Sequence, residues 1–113
     1  MLHLDILMKG RLLTLSELSL LIFMLRGKPN ADELLTKLVT VEVEDLDDGG
    51  MGSLRFLCDK PDQHLGEKIA DTHFLDEDGV PVLVSLYLDQ EGALYELDSW
   101  KTDYSPLKHI PLF

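Results

Sequence analysis

Apolar and polar positions alternate most clearly towards the C-terminus. Two segments there share the form Leu-Asp-x-acid-Gly, LDEDG at 75–79 and LDQEG at 88–92, and each lies between two apolar runs. A type I turn that ends in a left-handed glycine suits both, because Asp accepts hydrogen bonds from the turn amides and Gly79 or Gly92 adopts positive φ easily. Two such turns predict a three-stranded antiparallel meander, with Val82 to Trp100 as its central hairpin.

The N-terminal part of the chain has the helical spacing instead. Thr14 and Glu17 form a capping box, which predicts a helix from Leu15 to Arg26 that ends at Gly27. Its apolar residues follow the i, i+3, i+4, i+7 spacing of one buried face. The members of this stripe are Leu18, Leu21, Ile22 and Leu25. Because neighbouring positions are also apolar, the helix either lies deep under a sheet or buries a second face against another chain. We expect burial in the core of one chain.

A shorter second helix is expected from Ala31 to Lys37, because Asn30 and Glu33 repeat the capping pattern. After it the apolar spacing changes to two, which predicts strands. Three strands are predicted ahead of the hairpin at Val82 to Trp100, and they span residues 39–43, 53–58 and 68–75. The last of them is the first strand of the meander. In the second of them, Cys58 alternates with Leu54 and Phe56 and is expected to be buried.

These elements predict an α+β fold in which N-terminal helices pack on one face of an antiparallel sheet of about five strands ending in the three-stranded meander. A length of 113 residues is enough for one core and too short for two, so we expect a single domain over residues 1–113. Residues 1–11 are expected to be a loosely ordered extension, and either Met1 or Met8 is the true start. The proline-containing tail is expected to wrap over the sheet. It would bury Leu107, Ile110 or Phe113.

Composition narrows the classes of partner. The chain has 21 Asp and Glu residues against 10 Lys and Arg residues, a formal net charge of -11. Nucleic acid is excluded as a partner, because phosphate binding needs a basic surface, whereas a protein partner with a basic surface is favoured. The single cysteine cannot form an internal disulfide, which is typical of a cytoplasmic protein. The apolar run from Leu18 to Leu25 is shorter than the roughly 20 residues that cross a bilayer, so we expect no membrane segment.

No motif in the chain predicts catalysis or a metal site. The acidic turn at 45–50 departs from the EF-hand pattern, because Gly49 occupies the place of the third ligand. The Gly-Met-Gly segment at 50–52 lacks the third glycine and the following helix of a dinucleotide-binding loop. The four histidines have no metal-ligand spacing. We therefore expect no cofactor and no metal, and an enzyme is the less favoured interpretation.

Seven residues are candidates for binding a partner, and each also has a structural explanation. Glu96 and Asp98 share one face of the last strand, where Lys101 continues the polar run, and a solvated face is the simplest interpretation of them. Trp100 and Tyr104 either seal the core or anchor an interface, because aromatic residues are frequent in both places. The full set of candidates is Asp47, Asp48, Arg55, Glu96, Asp98, Trp100 and Tyr104.

Three stretches carry a resemblance: GGMGSLRF at 49–56, the meander DEDGVPVLVSLYLDQEGALYELD, and YELDSWKTDYSPL at 95–107. Through them, residues 12–107 resemble a family of small bacterial proteins that share a domain of unknown function. The last stretch is also similar to a C-terminal motif of immunity proteins from polymorphic toxin systems. This resemblance implies a binding role, and it supplies no catalytic residue, substrate or cofactor.

Two kinds of function stay open at this level. The first is a small acidic cytoplasmic binding protein, an immunity-type inhibitor of a basic toxin or effector, and the net charge favours it. The second is a small enzyme or ligand-binding domain with an acidic pocket beside the meander, formed by Asp47, Asp48, Arg55, Glu96 or Asp98. A homodimer through the N-terminal helix is a further alternative.

Overall fold

The fold combines two helices with five strands over residues 10–113, the part of the chain that the computed structural model describes. Helix α1 spans Leu15–Leu25 and α2 spans Ala31–Leu38. The strands are β1 Val43–Asp45, β2 Leu54–Phe56, β3 Leu65–Leu75, β4 Pro81–Asp89 and β5 Leu94–Lys101. The expectations for the first residues of the extension and for the start at Met1 or Met8 lie outside the described residues.

The five described strands form one antiparallel sheet in the order β1-β2-β5-β4-β3. Strands β3, β4 and β5 are the predicted meander, and the glycines of its two turns, Gly79 and Gly92, have φ of 79° and 87°. Strand β2 pairs with the other edge of β5, so β5 lies at the centre of the sheet. The predicted α+β fold, with N-terminal helices on an antiparallel sheet that ends in a meander, is confirmed.

The core lies between the helices and one face of the sheet. Its most deeply buried apolar residues include Leu21 and Leu25 of α1 and Phe56, Val84 and Leu86 of the sheet. Burying a side chain of this size stabilises the fold by roughly 1.5–3 kcal/mol relative to leaving it exposed. The tail also packs against this core, as predicted. Its contributing residues are Leu107, Ile110 and Phe113.

The buried stripe of α1 differs from the predicted one. Ile22 is 41% exposed, and Leu20 and Met24 are buried in its place. The helix is apolar on nearly every side, so the spacing alone could not identify the buried face. The position of the sheet decides it.

The two helix starts have different outcomes. The capping box at α1 is confirmed, because Glu17 N donates to Thr14 Oγ1 at 3.2 Å and Thr14 N donates to Glu17 Oε1 at 2.9 Å. The repeat of this pattern at α2 is wrong. Asn30 has a left-handed φ of 60°, and its side chain makes no capping hydrogen bond within the described residues. Asn tolerates this backbone conformation better than most residues, which explains its place before α2.

The first two strands are shorter than predicted. Strand β1 begins at Val43, and Val39 is exposed in the turn after α2. Strand β2 ends at Phe56, so Cys58 lies beyond it and is exposed, which makes the predicted burial of its thiol wrong. Alternation predicts the side of a residue only while the strand continues.

Each Leu-Asp-x-acid-Gly turn holds a lysine from another segment between its two acids. In the first turn, Lys101 Nζ lies 2.9 Å from Asp76 Oδ2 and 2.6 Å from Asp78 Oδ2. In the second turn, Lys60 Nζ lies 2.6 Å from Asp89 Oδ2 and 3.0 Å from Glu91 Oε1. We call these two arrangements the lysine clamps. Each one ties a distant part of the chain to a turn of the meander.

Lys101 is therefore not part of a solvated polar run, and that interpretation is wrong. Its side chain is fully buried, because it lies on the same side of β5 as Leu97 and Ser99, which face the helices. Within residues 10–113, no helix is long and apolar enough to cross a membrane.

Candidate functional site

The two helices share a core with one side of the sheet, and the opposite side carries the candidate residues. Every second residue of a strand points to this side. The residues of β5 on this side are Glu96, Asp98 and Trp100. The neighbouring strands place Arg55 opposite Glu96 and Leu83 opposite Trp100. We call this side of the sheet the open face.

An apolar cluster occupies one end of the open face. Leu83 is 42% exposed and Trp100 is 38% exposed, although they pair with each other on the neighbouring strands β4 and β5. The Tyr104 ring lies beside them, with its centroid 6.0 Å from that of Trp100. We call Leu83, Trp100 and Tyr104 the aromatic corner. Exposed apolar groups that cluster in this way are typical of interaction sites.

The polar part of the open face is mostly paired within itself. Arg55 Nη2 lies 2.7 Å from Glu96 Oε1, and the Arg55 guanidinium carbon lies 4.3 Å from the centre of the Tyr95 ring. Asp98 forms no ion pair with a described basic residue. Burial raises the pKa of Asp98, and the negative charges of Glu96 and Asp48 raise it further. A hydrogen bond from Ser53 lowers the pKa of Asp98 but does not offset this rise, so an added cation would be favourable beside Asp98.

The turn before β2 uses one of the candidate acids for folding. Asp48 accepts hydrogen bonds from the amides of Met51 and Ser53, each at 3.0 Å, and closes the turn. Asp47 is exposed in the same turn. Ser53 Oγ then accepts from Ser99 N at 2.9 Å, which continues the pairing of β2 with β5 beyond their backbone ladder.

The first lysine clamp holds the segment that carries the aromatic corner. Lys101 Nζ also donates to the carbonyl of Pro106 at 3.1 Å, and Asp76 accepts from the amides of Lys108 and His109 at 2.8 and 3.0 Å. Burial opposes ionisation of Asp76, but the bonds from these amides and from Lys101 outweigh it, and they lower its pKa well below the usual range. The chain on both sides of Tyr104 is thus anchored to a buried charge pair.

Tyr104 itself has an unusual backbone. Its φ is 63°, a left-handed conformation that residues other than Gly, Asn and Asp seldom adopt. The turn is held by backbone and polar contacts around it: Tyr104 N donates to Lys101 O at 2.8 Å, and Ser105 Oγ donates to Asp103 Oδ1 at 2.6 Å. These bonds do not involve the Tyr104 ring, which is 71% exposed.

Five of the seven predicted candidates come together on or beside the open face. They are Arg55, Glu96, Asp98, Trp100 and Tyr104. Asp47 and Asp48 lie in the adjoining turn. Sequence reasoning missed Leu83, Tyr87 and His73, which share this face. For Leu83 and Tyr87 a signal was present, since they alternate with the buried Val82, Val84 and Leu86 along β4.

Among the clefts of the described residues, three bear on the candidate site. One of about 370 Å³ lies between α2 and the second meander turn, with Cys58 in its wall, and one of about 360 Å³ lies at the start of α2. A third, of about 500 Å³, runs along β3 and β4 on the open face past Asp71, His73 and Leu83. The five polar residues of the enzyme alternative line none of these three clefts. Among residues 10–113, no three His, Cys, Asp or Glu side chains are placed to hold a metal ion.

Comparison with known proteins identifies the family of this chain. The model of the family described as Domain of unknown function (DUF6984) matches residues 10–111. The chain belongs to this family. The open face and both lysine clamps lie inside the matched residues, and the resemblance to a domain of unknown function is confirmed. No curated protein and no solved structure shows significant similarity to the chain.

Proposed function

We propose that this DUF6984 protein is a small acidic binding protein of the bacterial cytoplasm, an immunity-type inhibitor that covers the basic surface of a toxin or effector. The observation that carries the proposal is the open face, where Leu83 and Trp100 stay exposed although they pair with each other within the sheet. The amino-acid sequence adds support, because the stretch at 95–107 that resembles immunity proteins contributes Asp98, Trp100 and Tyr104 to the open face and its edge.

The charge of the molecule supports the same kind of partner. A net charge of -11 attracts a basic protein over long range and speeds its association, while it disfavours acidic partners. Aromatic side chains such as Trp and Tyr are enriched where a few residues contribute most of the binding energy. A surface that combines both features suits a tight inhibitor. The exposed free thiol of Cys58 is in keeping with a reducing cytoplasm.

Coexpression tests this proposal directly. The protein is produced in bacteria together with the products of the genes that adjoin its own, each of which is first tested for toxicity. We expect one neighbour to be toxic alone, to be neutralised by this protein, and to form a complex whose affinity falls about tenfold or more as salt rises from about 50 to 500 mM.

The matched control is a toxin variant whose basic surface residues are changed to glutamate. It should no longer bind this protein. Neighbours that are not toxic, or a complex whose affinity does not depend on salt, would contradict the proposal.

A further inference from the structure

We infer that the partner docks on the open face through a basic segment in which an apolar anchor lies next to a cationic residue. The anchor contacts the aromatic corner of Leu83, Trp100 and Tyr104, and the cation binds the carboxylate of Asp98. This inference rests on the proposed function, and it adds the surface and the chemistry of the partner.

The aromatic corner has the shape and position of an anchor site. Leu83 and Trp100 are paired near the start of β4 and the end of β5, and both side chains stay partly exposed at this end of the sheet. The cleft of about 500 Å³ along β3 and β4 borders the corner at Leu83 and leads past His73 and Ser85. An extended segment can follow this cleft while one of its apolar side chains rests on the aromatic rings.

The sign of the partner's charge follows from the pairing of the charges on the open face. Arg55 is neutralised by Glu96, and Lys68 lies 3.1 Å from Asp71. Asp98 has no such partner among the described basic residues, and it follows Glu96 on the same side of β5, two residues before Trp100. A cation beside Asp98 would offset the unfavourable effect of burial and of the negative charges of Glu96 and Asp48, whereas an anion would add to it. A lysine or arginine beside an apolar residue therefore matches both parts of the surface.

Tyr104 supports a binding role for the corner independently of charge. A left-handed backbone disfavours tyrosine, glycine would adopt it without strain, and the bonds that hold the turn do not use the ring. The ring is also mostly exposed, so it adds little to the core. The turn thus gives no reason for tyrosine at this position, and the ring contact that is described, with Trp100, adds an aromatic surface of the kind that an interface anchor uses.

The test uses the full chain and a display library of random twelve-residue peptides, selected in buffer of low salt. Trp100 is the only tryptophan, so its fluorescence reports contact at the corner directly. We expect the selected peptides to carry Lys or Arg next to an apolar residue and to shift the Trp100 emission to the blue. Tyr104→Gly and Asp98→Asn should each weaken binding about tenfold or more, the size of one lost interface contact.

Two matched variants serve as controls. Asn30→Gly also relieves a left-handed residue, φ 60°, and Asp32→Asn also removes one exposed carboxylate, but both lie at α2. Both should leave peptide binding unchanged. Tyr104→Gly should melt at the same temperature as the wild type or a higher one, which separates loss of binding from loss of folding.

The outcomes distinguish this inference from the proposed function. One contrary result is that basic peptides bind without shifting the Trp100 emission and tolerate Tyr104→Gly and Asp98→Asn. This result would overturn the inferred docking surface, whereas the proposal of a basic partner would stand. Selection of peptides without basic residues would overturn the inference and contradict the proposed partner as well. If no peptide is selected, the corner and Asp98 do not suffice to hold a basic segment, and the inference is overturned.

Discussion

At the scale of single residues, Lys101 shows how a side chain gains a role that its neighbours in sequence do not reveal. Its ammonium group is fully buried and contacts Asp76, Asp78 and the carbonyl of Pro106. A buried charge is strongly unfavourable unless partners compensate it. Two carboxylates and a carbonyl do so here, and the group joins β5, the first meander turn and the tail.

Removing one charge of this cluster should destabilise the protein strongly. In Asp76→Asn the buried ammonium of Lys101 loses its most enclosed partner, and we expect the free energy of unfolding to fall by roughly 3 kcal/mol or more. Urea denaturation measures this change. The matched control is Asp71→Asn, which breaks the exposed pair with Lys68 and should lower stability by at most about 1 kcal/mol. Equal losses in the two variants would contradict the role of the clamp.

The buried carboxylates also predict how stability depends on pH. Burial works against the charge of Asp76 and Asp89, but their hydrogen bonds prevail and lower both pKa values well below the usual range. As pH falls, both carboxylates are therefore protonated in the unfolded chain before they are protonated in the folded protein. Their contribution to stability is complete above about pH 4 to 5 and is lost as pH falls further. The pKa of Lys101 is shifted the other way: burial lowers it, bonds to Asp78 and Asp76 raise it more, and the net shift is upward. Its contribution is present below about pH 10 and is lost above.

Urea denaturation between about pH 3 and 7 checks the acid side of this prediction. The wild type should lose stability steeply below about pH 4, and Asp76→Asn should lose less over the same range, because one of the titrating groups is gone. Identical slopes for the two proteins would show that Asp76 does not titrate in this window.

At the scale of elements, the repeated turn motif does more than reverse the chain. Asp76 and Asp89 each accept hydrogen bonds from amides of their own turn and bind a lysine from elsewhere. The first turn thereby recruits the tail, and the second recruits the loop before β3 through Lys60 and Gln63. The sequence motif predicted the turns, but their lysine partners are set by which segments reach the two ends of the meander.

The tail is the second element whose contribution can be measured. Ser19 Oγ donates to Phe113 O at 3.1 Å and accepts from Phe113 N at 3.2 Å, and the Phe113 ring lies 5.0 Å from Phe23 and 6.0 Å from Phe74. Phe113→Ala should lower the free energy of unfolding by about 2 kcal/mol, less than for a fully buried phenylalanine. Thermal unfolding measures the loss. Leu112→Ala is the control, because Leu112 is 93% exposed and should change stability by less than about 0.5 kcal/mol.

At the scale of the whole molecule, the proposed partner depends on two features, a strong negative charge and one open sheet face. The charge favours basic proteins and opposes self-association. The homodimer through the N-terminal helix nevertheless stays a prediction, since Ile22 and Phe23 of α1 are partly exposed. Light scattering decides between monomer and dimer, and Ile22→Glu would abolish a dimer that uses this helix.

Much of the fold could be predicted from the sequence because its signals are local. The capping box of α1, the two glycine turns and the alternation along β4 each depend on residues a few positions apart. Part of the candidate site followed from the same signals, since Glu96, Asp98 and Trp100 alternate on one strand. Their neighbours Arg55 and Leu83 could not be placed beside them, because no local pattern states which strands pair or in which register.

The sequence by itself determined the α+β class, the meander and the acidic character of this protein, because periodicity, turn chemistry and charge are written residue by residue. Only the tertiary structure decided which side of α1 is buried, that Cys58 is exposed, and that Lys101 lies among carboxylates. It also brought Arg55 to Glu96 across 41 positions of the chain. The physical reason is that burial and pairing depend on which distant segments come into contact. These contacts form only when the helices pack on the sheet around one core.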